Sequence, residues 1–164
     1  MATRQEEFER LAMPHTRSLF RVARRLTQDR ETAEDLVQET MLSAWRGFGQ
    51  FQAGTNERAW LFRILINAAN ARGRKLRTAP VVPISAHDVP VDATAPTSVE
   101  VAQALDGVPV EQREVLLLGV VEGFTCLEMA GILSIPIGTV MSRLSRARKA
   151  LRDQLVPRVI GKEA

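Results

Sequence analysis

The chain has 164 residues, of which 45% are hydrophobic, 25% charged and 5% aromatic, with a formal net charge of +3. Such a composition belongs to a folded globular protein of one or two domains and excludes collagen-like, disulfide-scaffold and wholly disordered chains. The single cysteine, Cys126, excludes an intramolecular disulfide and a cysteine zinc cluster, and His15 and His87 lie too far apart for a helical metal motif. No metal or cofactor is expected. The longest apolar runs, such as 115–121, fall short of the roughly 20 residues that a membrane span needs. Residues 1–10 mix charges of both signs and carry no apolar secretory core. A cytoplasmic protein without membrane insertion is expected.

The elements follow in chain order. Residues 5–26 place Phe8, Leu11, Leu19, Val22 and Leu26 at helical spacing, with Pro14 expected to break or bend the stretch. Residues 31–47 repeat the pattern with Ala33, Val37, Thr40, Met41, Ala44 and, just beyond, Phe48. Gly47, Gly49 and Gly54 mark a turn region. Residues 57–74 form a third helix with Trp60, Leu61, Ile64, Leu65 and Ala68 inward, and Gly73 within its arginine-rich end is expected to stop it. Four of the eight prolines then fall between residues 76 and 97, a stretch without aromatics or helical periodicity, which reads as an extended linker. Beyond it, 98–106 and 109–122 read as helices, with Pro109 in the first turn of the second and Gly123 closing it. The fold class is therefore all-α: two small helical domains, 1–75 and 98–164, joined by the linker 76–97.

The end of the chain carries the strongest local signal. Thr125-Cys126-Leu127-Glu128 is a capping box that starts a short helix through Met129, Ala130, Ile132 and Leu133. A turn at Ser134-Ile135 leads to Pro136, placed to open a last helix over about 136–154. A short capped helix, a tight turn and a basic second helix make a helix-turn-helix. At 100° per residue, Ile137, Val140, Leu144, Ala147 and Leu151 share the core side of the last helix. Thr139, Ser142, Arg143 and Arg146 share the opposite side, with Ser145 and Lys149 along one edge. A face of hydroxyls and guanidiniums suits the DNA major groove, where arginine forks onto guanine and serine reaches bases or phosphates. Residues 137–152 hold four arginines and a lysine without an acid, the charge expected against a polyanion.

Several strings resemble one family. Pro136-Ile-Gly-Thr-Val-Met-Ser-Arg-Leu-Ser-Arg-Ala-Arg-Lys-Ala-Leu151 is similar to the recognition helix of the sigma-70 family of RNA polymerase initiation factors, closest to its extracytoplasmic-function (ECF) group. Val110-Glu-Gln-Arg-Glu-Val-Leu-Leu-Leu118 and Glu122-Gly-Phe-Thr125 resemble the same sigma-4 domain. Ala33-Glu-Asp-Leu-Val-Gln-Glu-Thr40 resembles the sigma-2 helix that docks on the polymerase clamp, and Arg58-Ala-Trp-Leu-Phe-Arg-Ile-Leu65 the sigma-2 helix that meets the −10 element. Met141 and Ser145 depart from the commoner pattern, which has a basic residue and a bulkier aromatic or histidine there.

The resemblance implies a sigma factor rather than an enzyme, with core RNA polymerase, double-stranded promoter DNA, the melted −10 strand and an anti-sigma factor as partners. It implies that Thr139, Ser142, Arg143, Ser145, Arg146 and Lys149 read the −35 element. Asp35, Gln38 and Glu39 share one helix face by their spacing and would dock on core polymerase. Arg63, Asn67, Asn70, Arg72 and Arg74 would meet the −10 element, asparagines on base edges and arginines on phosphates. Phe51 and Trp60 are candidate base-stacking residues. Trp60 and Phe48 also read as core, while Phe51, in a glycine-flanked loop, is expected to be exposed. The alternative is a free-standing helix-turn-helix regulator, which needs a ligand pocket or dimer interface in the first domain. Cys126 reads as a small neutral filler beside a helix cap.

Overall fold

The computed structural model describes residues 1–52, 54–78 and 96–160, with the backbone alone considered at 75–78, 96–100 and 156–160. Every regular element among the described residues is helical, and these elements fall into two compact units.

The first unit opens with α1, Arg4–Ala12. Thr3 caps it reciprocally: Glu6 N donates to Thr3 Oγ1 at 3.2 Å and Thr3 N to Glu6 Oε2 at 2.8 Å. Pro14 sits in a single 3-10 turn, Met13–His15, and α2 resumes at Thr16–Thr27, so the expected break lies where proline removes a donor. α2 stops at Gln28, whose φ of 60° is the left-handed turn that ends many helices. Asp29 then caps α3, Arg30–Gly47, by accepting from Thr32 N at 2.9 Å. A 3-10 turn, Phe48–Gln50, leads through Gly54, at φ +89°, to α4, Glu57–Thr78, where Asn56 Oδ1 accepts from Ala59 N at 3.0 Å.

Helices α2, α3 and α4 pack on one another around Leu19, Val22, Ala23, Leu36, Leu61, Phe62 and Leu65, all fully buried. Thr40 is buried with them, its hydroxyl donating back to Leu36 O at 2.8 Å. Leu11, Leu26, Met41 and Ile64, expected inside, are half-buried, while Leu36, Phe62 and Ile66, not expected there, are buried. Gly73 does not end α4. Its lack of a side chain costs a helix only about 1 kcal/mol, and the strong helix formers around it carry the helix on to Thr78.

The second unit starts with α5, Pro96–Asp106, so the ends of the expected linker are helical at 76–78 and 96–97, and its residues 79–95 lie outside the described residues. α6, Val110–Leu116, is capped by Pro109, whose carbonyl accepts from Arg113 N at 2.8 Å. Pro109 thus lies one residue before the expected first turn, where its fixed φ and missing donor cost nothing. α6 widens into a π turn, Leu117–Val121, and Gly123, at φ +74°, closes it. The turn brings Gly119 under Met129, whose Sδ and Cε would lie only 3.3 and 3.0 Å from any added Cβ. α7, Cys126–Leu133, has the expected capping box, with Glu128 N on Thr125 Oγ1 at 3.1 Å and Thr125 N on Glu128 Oε1 at 3.0 Å. Ser134 turns the chain at φ 54°, and α8, Ile137–Ile160, leaves at 105° to α7. That angle is the helix-turn-helix range. Val140 and Ala147 are fully buried, Leu144 and Leu151 half-buried. Ile137, expected in the core, is 44% exposed, although Val140 one turn on is fully buried.

Candidate nucleic-acid and polymerase interfaces

On α8, Ser142, Ser145, Arg146 and Lys149 are exposed, and Thr139 and Arg143 are half-buried. Thr139, Ser142, Arg143 and Arg146 line one groove together with Glu111, Gln112 and Gly138. Ser145 opens on a second groove, beside Met141, Leu144 and Arg148. Pro136 precedes the helix, and its carbonyl takes the amides of Thr139 and Val140 at 3.0 and 3.2 Å. Arg143 is turned back toward α6, its Nη2 3.8 Å from Glu111 Oε2. Sequence reading missed Glu111, 32 positions upstream of its partner.

The platform beneath this face depends on Arg113, buried at 6% exposure between α6 and α5. Its Nε donates to Leu105 O at 2.9 Å, and its Nη2 donates to Asp106 O at 3.2 Å and Val108 O at 3.0 Å. Of these carbonyls at the end of α5, Leu105 O also takes Val108 N at 3.1 Å, and one guanidinium fork serves all three. Burial pulls the Arg113 pKa down from its usual value, with Asp106 and Glu114 opposing that shift.

In the first unit, Arg63, Asn67, Asn70 and Arg74 recur at steps of four, three and four residues and so form one stripe along α4. Arg63, Asn67 and Arg74 are exposed, and Asn70 is half-buried. Arg72 lies on the other side of α4. It reaches α3, where its Nε meets Glu39 Oε2 at 3.1 Å. The expected −10 set is therefore split: four residues share a face, and the fifth is tied to an expected docking residue.

The loop before α4 is held by a row of rings. Phe8 contacts Trp45 and Phe48 edge-on at 5.3 and 5.4 Å between centroids, Phe48 stacks on Phe51 at 6.4 Å, and Phe51 lies 4.6 Å from Trp60. Arg4 closes the row, 4.8 Å above the Trp45 ring and donating to Trp45 O at 3.2 Å. Phe51, expected to be exposed, is half-buried, because the 3-10 turn folds it back onto Trp60. Trp60 and Phe48 are half-buried as well, so all three rings keep part of their surface exposed.

Asp35, Gln38 and Glu39 are exposed on one face of α3, as their spacing requires. Leu42 continues that face and is 56% exposed, a large apolar side chain among polar neighbours. The step of four from Gln38 was the signal for it.

Two family models match the chain: Sigma-70 region 2 over residues 11–78 and Sigma-70, region 4 over residues 98–151. ECF RNA polymerase sigma factor SigM of Mycobacterium tuberculosis is 37% identical over 146 residues, spanning 88% of this chain and 74% of that protein. The chain belongs to the sigma-70 family of RNA polymerase sigma factors. Within it, the chain is of the ECF group. SigE of Mycolicibacterium smegmatis is 33% identical over 160 residues, covering 90% of this sigma factor and 61% of that one. Among solved structures, the sigma factor RpoE of Bartonella quintana, in complex with the anti-sigma factor NepR, superposes with a TM-score of 0.71 at 30% identity, covering 91% of this chain and 96% of that one. CnrH, in complex with the cytosolic domain of CnrY, gives a TM-score of 0.71 at 26% identity, covering 93% of this chain and 90% of that one. A sigma factor directs core RNA polymerase to promoters, and the presence of both regions in one chain favours this over a free-standing regulator. Among the described residues, no single helix is long and apolar enough to cross a membrane.

Proposed function

We propose that this ECF sigma factor acts by binding alone, in the cytoplasm, with no catalytic step of its own. Asp35, Gln38 and Glu39, joined by Leu42, dock α3 on core RNA polymerase. Leu42 supplies the desolvated anchor, and the acids supply orientation. Arg63, Asn67, Asn70 and Arg74 meet the −10 element along α4. Phe51 and Trp60, each half-open, give unpaired bases of the melted strand a surface to stack on. Arg72 belongs to this set through its link to Glu39, which joins the docking helix to the −10 helix. Thr139, Ser142, Arg143, Ser145, Arg146 and Lys149 read the −35 element in the major groove. An anti-sigma factor holds the free protein, by analogy with the complexes of RpoE with NepR and of CnrH with CnrY.

The observation that carries this reading is the pairing of two different recognition surfaces on one chain. One is a helix-turn-helix with a polar face for duplex DNA. The other is an arginine and asparagine stripe beside half-open rings, fitted to an unstacked strand. In vitro transcription with core polymerase on a randomised promoter library tests it. Enriched templates should carry two sequence blocks at a fixed spacing. Enrichment of one block only, or tight binding to an operator without polymerase, would refute it.

A further inference from the structure

The groove beside α8 is not uniformly basic. Glu111, in the first turn of α6, puts its carboxylate 3.8 Å from the Arg143 guanidinium. The side chain of Glu111 is 73% exposed and that of Arg143 24% exposed, so the acid stands at the rim and the arginine inside. A separation of 3.8 Å is too long for a hydrogen bond, so the contact is one of charge, and the donors of Arg143 stay available.

An acid at this place acts differently on the two kinds of acceptor that DNA offers. A phosphate that takes Arg143 brings a negative charge to within roughly 7 Å of the carboxylate, one ion-pair length plus one hydrogen bond away. In a water-like dielectric that repulsion weakens binding by about threefold. The O6 and N7 edge of guanine is neutral and meets no such penalty. We propose that Glu111 is a specificity-determining residue of the −35 interface: it holds Arg143 off the phosphate backbone and leaves it free for base edges. This rests on the reading of α8 as the −35 helix. Glu111 gives up affinity for all DNA in exchange for a larger difference between right and wrong sequences.

The test uses the full chain assembled with core polymerase. Two duplexes serve as probes: a −35 sequence selected from a random pool by the wild type, and the same bases scrambled. Glu111→Gln should raise affinity for the scrambled duplex about threefold and for the selected one less than half as much, so that discrimination falls. On the scrambled duplex, the slope of log affinity against log salt should steepen by about 0.9, the value for one added phosphate contact. Glu111→Asp, which keeps the charge, should retain the wild-type discrimination. Asp153→Asn, an equal charge change elsewhere on α8, should not reduce it. In an Arg143→Gln background, Glu111→Gln should leave discrimination unchanged. Equal rises on both duplexes would overturn the proposal, and so would weaker binding to the selected duplex or the same effect without Arg143. If Arg143→Gln alone leaves selected-duplex affinity intact, the reading of α8 fails and takes this one with it. If Arg143→Gln weakens binding but Glu111→Gln changes nothing, only the role of Glu111 falls.

Discussion

Arg113→Ala removes a side chain that touches no DNA-facing residue in the proposed set, yet it should disable the −35 lobe. The substitution takes a donor from three carbonyls: Asp106 O and Val108 O are orphaned, while Leu105 O keeps the amide of Val108 at 3.1 Å. Leaving a buried acceptor unpaired costs about 1–3 kcal/mol, so Val108 O and the part-buried Asp106 O together cost at most about 2–6 kcal/mol. Relief from burying a guanidinium offsets part of this, leaving a loss of about 3 kcal/mol. A lobe of roughly 60 residues has about 3–9 kcal/mol of stability in total, so the variant sits near its unfolding threshold. The sequence supplies the assay, because both tryptophans, Trp45 and Trp60, lie in the first lobe. Urea unfolding of the full chain should show an unchanged tryptophan transition and a far-UV circular dichroism transition that starts much earlier. With a slope of about 1 kcal/mol per molar urea, the second-lobe midpoint should drop by about 3 M. Arg113→Lys should recover little, since one ammonium cannot fork to three carbonyls. A dichroism midpoint within about 0.3 M of wild type would mean that the carbonyls find water and that the bonding argument is wrong.

Arg146→Ala should leave both unfolding transitions in place and weaken binding to a selected −35 duplex by about 1–3 kcal/mol, as read by fluorescence anisotropy; unchanged affinity would remove Arg146 from the reading face. Asp35→Arg combined with Leu42→Ser should abolish retention by core polymerase in a pull-down without moving the tryptophan transition, because both side chains are exposed. Asp29 predicts a pH dependence: its hydrogen bonds with Thr32, first from the Thr32 side chain and then from its backbone amide, hold its carboxyl below the usual 3.8. A depressed folded pKa means that the stabilisation is complete above the unfolded value and is lost as pH falls through the folded one. The first-lobe transition should therefore weaken below about pH 4, and Asp29→Asn should flatten that part of the profile; parallel profiles for the two proteins would refute the cap's role.

Caps and breaks were legible because they are local. The Thr125–Glu128 box, Pro14, Gly123 and the turn before Pro136 each act within a few residues, and each has its expected place or lies one residue from it. Core membership was legible in α3, where Ala33, Val37, Thr40 and Ala44 are buried as expected, and only in part in α4. A single stripe was assigned to α4, but α4 packs against both α2 and α3. The assigned stripe, bounded by Trp60 and Leu65, and the buried arc, bounded by Leu61 and Ile66, are each about 140° wide at 100° per residue, but the buried arc is turned by about 100°. The neighbours set which way the buried arc faces, and nothing within the helix says where they will lie. Ile137 fails in the opposite sense: it continues the apolar stripe of α8, yet it is 44% exposed.

The polar faces of the candidate sites were legible by periodicity, but their charges were not. Counting cations along α4 and α8 treats each arginine as available. The fold instead brings Glu39 to Arg72 and Glu111 to Arg143, across 33 and 32 positions of sequence and from a neighbouring helix each time. Neither pair holds the fold together, since such exposed pairs contribute at most about 1 kcal/mol. Their weight lies in what a polyanion meets. Around Arg72 the partner acid belongs to the proposed docking face, so a clamp contact that takes Glu39 leaves the Arg72 guanidinium without its counter-charge. Around Arg143 the partner acid belongs to the rim of the groove, where, as proposed, it stays during binding and selects against phosphate. On the proposed reading, the same local device has opposite consequences in the two lobes. In the first, the pair has to be broken for Arg72 to meet DNA. In the second, it has to persist for Arg143 to discriminate.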